Sequence, residues 1–202
     1  MPYLDMVNLT SSDGLMILLA YLVGGISPGY LLVRILLYTD LRTIGSGSLG
    51  ATNAGRVLGK KGFYFTLVTD MLKGALMVWL ARWLEFPPVV VSAVVVAVIA
   101  GHIWPLWLHF HGGKGIATSL GAFVALDYRI LLIGCVVLLI IYMITRRFLP
   151  SWVVTLIAMP LLAYTLDYSM TIVASLTLAA TIVIYAHKEN IKQLEFLSEN
   201  KG

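Results

Sequence analysis

Residues 15–37 read LMILLAYLVGGISPGYLLVRILL, an apolar run with one charged side chain, that of Arg34. A helix needs about 20 mostly apolar residues to cross the hydrocarbon core of a bilayer, and this run is long enough. No basic region precedes the run and no small-residue cleavage site follows it, so it is typical of a retained membrane helix rather than a signal peptide. The run indicates a fold built in a membrane.

The composition of the whole chain points to the same class of fold. Of its 202 residues, 59% are hydrophobic and 12% are charged, and the mean hydropathy is +0.91. Soluble domains are about 45–50% apolar and about 25% charged. We therefore predict an all-α, polytopic integral membrane protein in which residues 1–202 form a single membrane-embedded domain. The apolar runs predict seven helices, at 14–38, 63–83, 88–108, 116–126, 130–146, 152–166 and 170–187.

The fourth predicted helix, at 116–126, is too short to cross a bilayer alone. It is either a half-helix or joined to the next helix through a break at Asp127-Tyr128-Arg129. Broken membrane helices are tolerated where protein or water satisfies the freed backbone groups.

The distribution of basic residues predicts the orientation. With the N-terminus outside, eleven of the 14 Lys and Arg residues lie in inner segments and two in outer ones, and the opposite orientation inverts this bias. Cytoplasmic loops carry the excess of Lys and Arg, so we predict the N-terminus outside and the C-terminus in the cytoplasm. The polar segments 40–62, 109–119 and 187–193 then share the cytoplasmic face.

The first of these segments contains the sequence GSGSLGATNAGR at residues 45–56. Its spacing matches the dinucleotide-binding fingerprint only as a bare pattern, because a membrane helix rather than a strand precedes it. Glycines let backbone N–H groups approach an anion, the hydroxyls of Ser46, Ser48 and Thr52 add donors, and Arg56 adds a positive charge. The segment predicts a phosphate-binding loop, and a flexible loop between helices is the alternative.

The second segment places Lys114 among glycines, in Gly112-Gly113-Lys114-Gly115, just before an apolar helix. Free amides, a helix N-terminus and an ammonium group are the parts of a phosphate loop. Gly115 stands where the ATP-binding pattern needs Ser or Thr, so ATP hydrolysis is not indicated. A basic topology signal followed by a glycine hinge is the alternative. No Cys or carboxylate completes a metal-ligand set with the nearby histidines, so we predict no metal site. These histidines are His102, His109 and His111.

Two residue pairs at helical spacing complete the candidate site. His187 and Asn190 are three residues apart near the end of the last helix, so they share a face if the helix continues. Favourable cation–dipole contacts at a helix C-terminus would explain this segment equally well. Asp70 and Lys73, also three apart, are either a structural ion pair or part of the wall of a polar site.

Three ordered motifs in the chain resemble the signatures of one family. They are Gly45-Ser46-Gly47-x-x-Gly50-Ala51-Thr52-Asn53, then His102-x-x-Pro105 with Gly112-Gly113-Lys114-Gly115-x-Ala117-Thr118, and His187-x-Glu189-Asn190-Ile191; Asp70-x-x-Lys73-Gly74 and Asp40-Leu41-Arg42 fit as well. The resemblance is to the bacterial acyl-phosphate:glycerol-3-phosphate acyltransferases, the PlsY family, and it covers almost the whole chain.

This resemblance implies a seven-helix enzyme of the bacterial inner membrane, with its active site facing the cytoplasm. It implies transfer of a fatty acyl group from acyl phosphate to the sn-1 hydroxyl of glycerol 3-phosphate, which gives lysophosphatidic acid and phosphate. It implies no use of acyl-CoA or acyl carrier protein, and the His-x4-Asp pattern of soluble-type acyltransferases is absent from this sequence. We expect contact with membrane lipid, no cofactor, no nucleic acid and no obligate protein partner.

The family's functional residues map onto this chain by position. The resemblance implies catalytic roles for His187, Lys114 and Asn190, and a phosphate-binding loop between Ser46 and Asn53. The full set of expected substrate-binding residues is Ser46, Gly47, Ser48, Gly50, Thr52, Asn53, Arg56, Asp70, Lys73, Gly113, Lys114, His187 and Asn190.

The chain departs from the family pattern at three places. Ser48 stands where the family usually has Asn, and Trp104 where it often has Phe. Phe148-Leu149-Pro150-Ser151 replaces a typical Tyr-Val-Ser, which leaves open a family paralogue with a different acceptor. A multipass transporter or binding protein for an organophosphate is the other alternative, although a transporter needs polar sites near the membrane midplane.

Overall fold

The computed structural model of this protein describes residues 9–192, and this part of the chain is helical throughout, without strands. Eight α-helices are followed by a further helical stretch at 188–192. The eight are α1 (Ser11–Gly25), α2 (Pro28–Leu37), α3 (Ala51–Trp83), α4 (Pro88–Ile103), α5 (Ile116–Leu126), α6 (Tyr128–Thr145), α7 (Phe148–Thr165) and α8 (Met170–Ala186).

The all-helical, membrane-embedded class is confirmed, while the count of seven crossings and the orientation stay predictions. Within residues 9–192, five helical segments are long and apolar enough to cross a membrane. They are Ser11–Leu37, Ala51–Trp83, Pro88–Leu108, Tyr128–Thr145 and Phe148–Thr165. The apolar helices α5 and α8 are shorter.

The helix predicted at 14–38 corresponds to one apolar segment, Ser11–Leu37, but a break divides this segment into α1 and α2. Ile26 and Ser27 have extended backbone conformations, and the Ser27 hydroxyl caps the new helix by accepting from the Tyr30 N–H. Pro28 causes the break, since proline lacks an N–H and its ring clashes with the carbonyl four residues back. The break leaves the Ile26 carbonyl free to bond a side chain.

Helix α3 begins at Ala51, well before the predicted start at residue 63. It bends at Gly59, whose φ of 67° and ψ of −161° are not helical. A side chain on Gly62 would meet Leu58 and Ala54, so glycine lets the first turns fold against the rest of the helix. The second half of the glycine-containing segment is therefore helical rather than loop.

Three further helix boundaries can be compared with the prediction. Helix α4 ends at Ile103, short of 108, because Pro105 follows and opens a 3-10 turn. The break considered at Asp127-Tyr128-Arg129 is present but confined to Asp127, whose side chain caps α6. Helix α7 begins at Phe148 rather than at 152.

Glycines bring the helices of the core into close contact. A Cβ atom on Gly74 of α3 would overlap the Thr118 carbonyl of α5, and one on Gly121 would overlap the Met71 carbonyl. Membrane helices associate through such small residues because lipid provides no hydrophobic force between them. This packing fixes the start of α5 relative to α3.

The polar loops meet at one end of the helix bundle, which we call the site end. There the Leu49 N–H donates to the Gly112 carbonyl at 3.3 Å, and Lys114 contacts Asn190. At the opposite end, Arg82 donates to the carbonyls of Ala125 and Leu126.

Candidate active site

The first loop, residues 45–50, is held in shape by the side chain of Asn53. Its Oδ1 accepts from the Ser46 N–H at 2.9 Å, and its Nδ2 donates to the carbonyls of Leu41 (3.2 Å) and Ile44 (3.0 Å). Asn53 is only 1% exposed, and both of its amide hydrogens are used inside the protein. It shapes the loop from within.

Left-handed backbone conformations let this loop turn tightly. Gly45 and Gly47 have φ values of 61° and 69°, which glycine adopts without a steric penalty. The loop ends at Gly50, the N-cap of α3, and no side chain caps this helix terminus. Its N–H groups carry the positive end of the helix dipole, as at many anion-binding sites.

The second loop, residues 112–115, lies directly against the first. The Gly112 carbonyl accepts from Leu49, while the N–H groups of Gly112 and Gly113 donate to the carbonyls of Ile103 (3.1 Å) and His102 (3.0 Å). Gly115, with φ of 86°, is the N-cap of α5 and has no side-chain cap. Two helix N-termini without side-chain caps therefore begin in neighbouring loops.

Lys114 joins the second loop to the helical stretch after α8. Its Nζ donates to the Oδ1 of Asn190. Partial burial lowers the pKa of the Lys114 ammonium, and the nearby positive charge of Arg56 lowers it further. Among residues 9–192, no carboxylate lies within ion-pair distance of Lys114 or Arg56. The two cations are thus free to attract an anion.

His187 is buried at the C-terminus of α8, 4% exposed. Its Nδ1 lies 2.8 Å from the Val183 carbonyl, which can only accept, so Nδ1 carries the hydrogen and the lone pair of the neutral ring is on Nε2. Burial lowers the pKa of His187; the Val183 hydrogen bond opposes this effect and the charge of Lys114 adds to it. The ring packs against Trp152, with centroids 4.8 Å apart.

The divergent segment at the start of α7 lies beside this histidine. The Ser151 hydroxyl is buried and donates to the Arg147 carbonyl at 2.7 Å, with the Thr145 hydroxyl at the same distance. Ser151 thus fixes the first turn of α7, and with it the neighbouring Trp152.

Asp70 and Lys73 form the ion pair that their spacing indicated, with Nζ and Oδ1 2.8 Å apart. Both are buried, so they lie behind the loops rather than on an exposed wall. His102 completes this group, with its Nδ1 2.9 Å from Lys73 Nζ. The motif His102-x-x-Pro105 predicted no role for His102, although its position three residues before Pro105 indicates the end of a helix.

The structure thus brings the three polar segments to one place. Three of the predicted site residues are exposed at this end, namely Ser46, Thr52 and Arg56, and five are half-buried, namely Gly47, Ser48, Gly50, Lys114 and Asn190. Four are buried besides Asn53, namely Asp70, Lys73, Gly113 and His187.

Comparison with known proteins identifies the family that shares these features. The family profile described as "Glycerol-3-phosphate acyltransferase" matches residues 14–196. Glycerol-3-phosphate acyltransferase 1 of Desulfitobacterium hafniense (strain Y51) is 41% identical over 182 residues, which is 90% of each chain. Glycerol-3-phosphate acyltransferase of Endomicrobium trichonymphae is 36% identical over 187 residues, covering 93% of this chain and 94% of that one.

Two similar crystal structures are of PlsY, an integral membrane glycerol 3-phosphate acyltransferase. Its glycerol 3-phosphate form superposes with a TM-score of 0.82 at 31% identity, and its lysophosphatidic acid form with 0.79 at 30% identity. Each match covers 92% of both chains.

Proposed function

This chain belongs to the glycerol-3-phosphate acyltransferase family, and we propose that its acyl donor is an acyl phosphate. As a member of this family the protein is a membrane-embedded acyltransferase that acts on glycerol 3-phosphate and forms lysophosphatidic acid, the first step of phospholipid synthesis. An acyl phosphate is a mixed anhydride and is already activated. A site that binds two phosphate-bearing molecules can therefore work without an acyl-enzyme intermediate.

The observation that carries the proposal is that Lys114 and Arg56, which have no carboxylate partner among residues 9–192, lie near two helix N-termini that lack side-chain caps. Such a surface suits dianions, because charge-assisted hydrogen bonds to phosphate are the stronger class. The loop at 45–50 binds the donor phosphate, and Lys114 and Arg56 neutralise phosphate charge. His187 and Asn190 orient glycerol 3-phosphate.

The reaction needs one nucleophilic displacement at carbon. The sn-1 hydroxyl oxygen attacks the carbonyl carbon of the acyl phosphate and forms the ester bond. The bond from that carbon to the phosphate oxygen breaks, and phosphate leaves with the electron pair. The hydroxyl proton goes to Nε2 of His187 or to a substrate phosphate oxygen. Holding both reactants together can supply roughly 7–11 kcal/mol of the barrier.

The test uses purified protein in lipid vesicles. We expect lysophosphatidate from palmitoyl phosphate only when glycerol 3-phosphate is present, with severe loss for Lys114→Ala and Arg56→Ala. Lys61→Ala removes an exposed cation from the same region of α3 and should stay active. Product from palmitoyl-CoA but none from palmitoyl phosphate would refute the proposed donor.

The variant His187→Ala distinguishes between Nε2 of His187 and a substrate phosphate oxygen as the acceptor of the hydroxyl proton. If Nε2 takes the proton, the variant loses turnover to a far greater extent than it loses affinity for glycerol 3-phosphate. Weaker binding with turnover preserved would instead assign the proton to the substrate phosphate.

We further propose that the site end faces the cytoplasm of a bacterial inner membrane. The support is the excess of Lys and Arg in the segments that meet there, as expected for cytoplasmic loops.

A further inference from the structure

Three ionisable side chains are buried together inside the helix bundle. Asp70, Lys73 and His102 are 1%, 7% and 4% exposed. Burying ionisable groups among membrane helices is costly, and such groups are retained where they serve function. The close packing of α3 against α5 is made by glycine contacts rather than by these charges.

Lys73 is the centre of the group. Its Nζ lies 2.6 Å from the Ile26 carbonyl, 2.8 Å from Asp70 Oδ1 and 2.9 Å from His102 Nδ1. The ammonium donates to the Ile26 carbonyl and to His102 Nδ1, and Asp70 Oδ1 is its ion-pair partner. Lys73 therefore joins the break between α1 and α2 to the end of α4, and its burial keeps it away from the surface that a substrate reaches.

His102 connects this group to the loop that carries Lys114. Because an ammonium only donates, His102 Nδ1 accepts, and the ring hydrogen is on Nε2. Nε2 faces Gly113, where even a Cβ atom would overlap it. The His102 carbonyl also accepts from the Gly113 N–H at 3.0 Å. The histidine therefore supports Gly113 with both its ring and its backbone.

We propose that Asp70, Lys73 and His102 are positioning residues that hold the Gly112–Gly113 segment, and through it the Lys114 ammonium, against the phosphate of the substrate. This inference rests on the proposed function in taking Lys114 as a phosphate ligand. It gives Asp70 and Lys73 a role one layer behind the substrate instead of in contact with it.

The test is a double-mutant cycle on glycerol 3-phosphate binding, measured by titration calorimetry. His102→Asn keeps an acceptor for Lys73 and removes the ring below Gly113. We expect about tenfold weaker binding, the size of one lost charge-assisted contact. In a Lys114→Met background, the same change should weaken binding no further, because His102 acts through Lys114. An equal loss in both backgrounds would overturn the inference.

Gly113→Ala provides a second route that leaves the buried group intact. Its methyl group pushes the loop away from the ring, so binding should weaken as in His102→Asn. Ser92→Ala is the matched control, since Ser92 is a buried polar residue of α4 far from the loop, and its affinity should equal that of the parent.

Thermal unfolding shows whether the variants remain folded. A pH profile of kcat/KM then distinguishes positioning of Lys114 from a purely structural effect of the substitution. If Lys114→Met binds too weakly to titrate, kcat/KM is measured against pH for His102→Asn and for the parent. The pH at which kcat/KM declines on the alkaline side, where Lys114 loses its charge, is then compared between the two. A shifted limb supports positioning of Lys114, and a limb at the parental pH refutes it. If the parent enzyme is active and both His102→Asn and Gly113→Ala bind glycerol 3-phosphate with parental affinity, this inference alone is refuted. If the parent enzyme is inactive with acyl phosphate, the proposed donor is refuted instead.

Discussion

Asn53 shows how one side chain can shape a binding loop without touching a ligand. Its three hydrogen bonds reach Ser46, Leu41 and Ile44, on both sides of the first glycine. The sequence motif suggested a substrate ligand at this position. The hydrogen bonds favour an internal brace for the loop whose amides we propose bind phosphate.

We predict that Asn53→Ala destabilises the protein by about 1–3 kcal/mol, because it leaves buried polar groups without partners. KM for glycerol 3-phosphate or the acyl donor should rise as the loop loosens. Thermal unfolding and steady-state kinetics measure the two effects. Asn53→Asp, which keeps the acceptor for Ser46 and loses the donors, should fall between Ala and the parent. Parental stability and KM in Asn53→Ala would contradict the bracing role.

The pH dependence of activity should follow the two shifted groups of the site. The lowered pKa of His187 keeps its ring neutral down to a pH below the usual value of about 6.5, so activity should fall only in more acidic buffer. The lowered pKa of Lys114 means that its positive charge is lost at a lower pH than in an ordinary lysine. Affinity for phosphate should therefore decline on the alkaline side.

Profiles of kcat/KM against pH check both limbs. Lys114→Arg keeps the charge to higher pH and should move the alkaline limb upward. His187→Gln should remove the acidic limb if Nε2 must be unprotonated. An alkaline limb that does not move in Lys114→Arg would assign it to another group.

Helices α3 and α5 are held together by close backbone contacts at Gly74 and Gly121. Gly74→Ala should destabilise the protein by about 1–3 kcal/mol, since the added methyl group overlaps the Thr118 carbonyl and overpacks the interface. Activity should fall with it, because α5 begins at the Lys114 loop. Thermal unfolding in detergent measures the change.

Gly14→Ala is the matched control for this substitution. It makes the same chemical change in helix α1, where no atom lies within 4 Å of the new methyl group. It should be neutral or slightly stabilising, by up to about 1 kcal/mol. If Gly74→Ala and Gly14→Ala change the free energy of unfolding equally, helix propensity rather than the interface contact determines the effect.

Periodicity and length predicted the helices to different degrees. Apolar length located α8 and α5 closely, because lipid-facing segments must be apolar throughout. It missed the first turns of α3, since Lys60, Lys61 and several glycines make that stretch resemble a loop. Those turns are stabilised by Asn53 and by packing on Gly62, contacts that no local pattern contains.

The candidate site was predictable only where its features are local in the sequence. Glycine and cation spacing marked the loops at 45–50 and 112–115, whose chemistry is local. The partnership of Lys114 with Asn190 joins residues 76 positions apart, and only the fold reveals it. The same holds for His102, whose role depends on Lys73 in another helix.

At the scale of the whole molecule, the orientation in the membrane is the property to test. In a Cys135→Ser background, which removes the one cysteine of the sequence, a cysteine placed at Lys61 should react with an impermeant maleimide only in inside-out vesicles. A cysteine at Glu85, at the other end of α3, should react only in right-side-out vesicles. The reverse pattern would place the site end outside the cell.

With the role proposed for Asn190, its contact with Lys114 makes activity depend on completion of the last helix during translation. A nascent chain that has inserted helices α1 to α5 already presents both glycine loops, yet Lys114 still lacks the partner that the ribosome supplies 76 residues later. We therefore expect that incomplete chains in the membrane do not consume an activated acyl group before the last helix is in place.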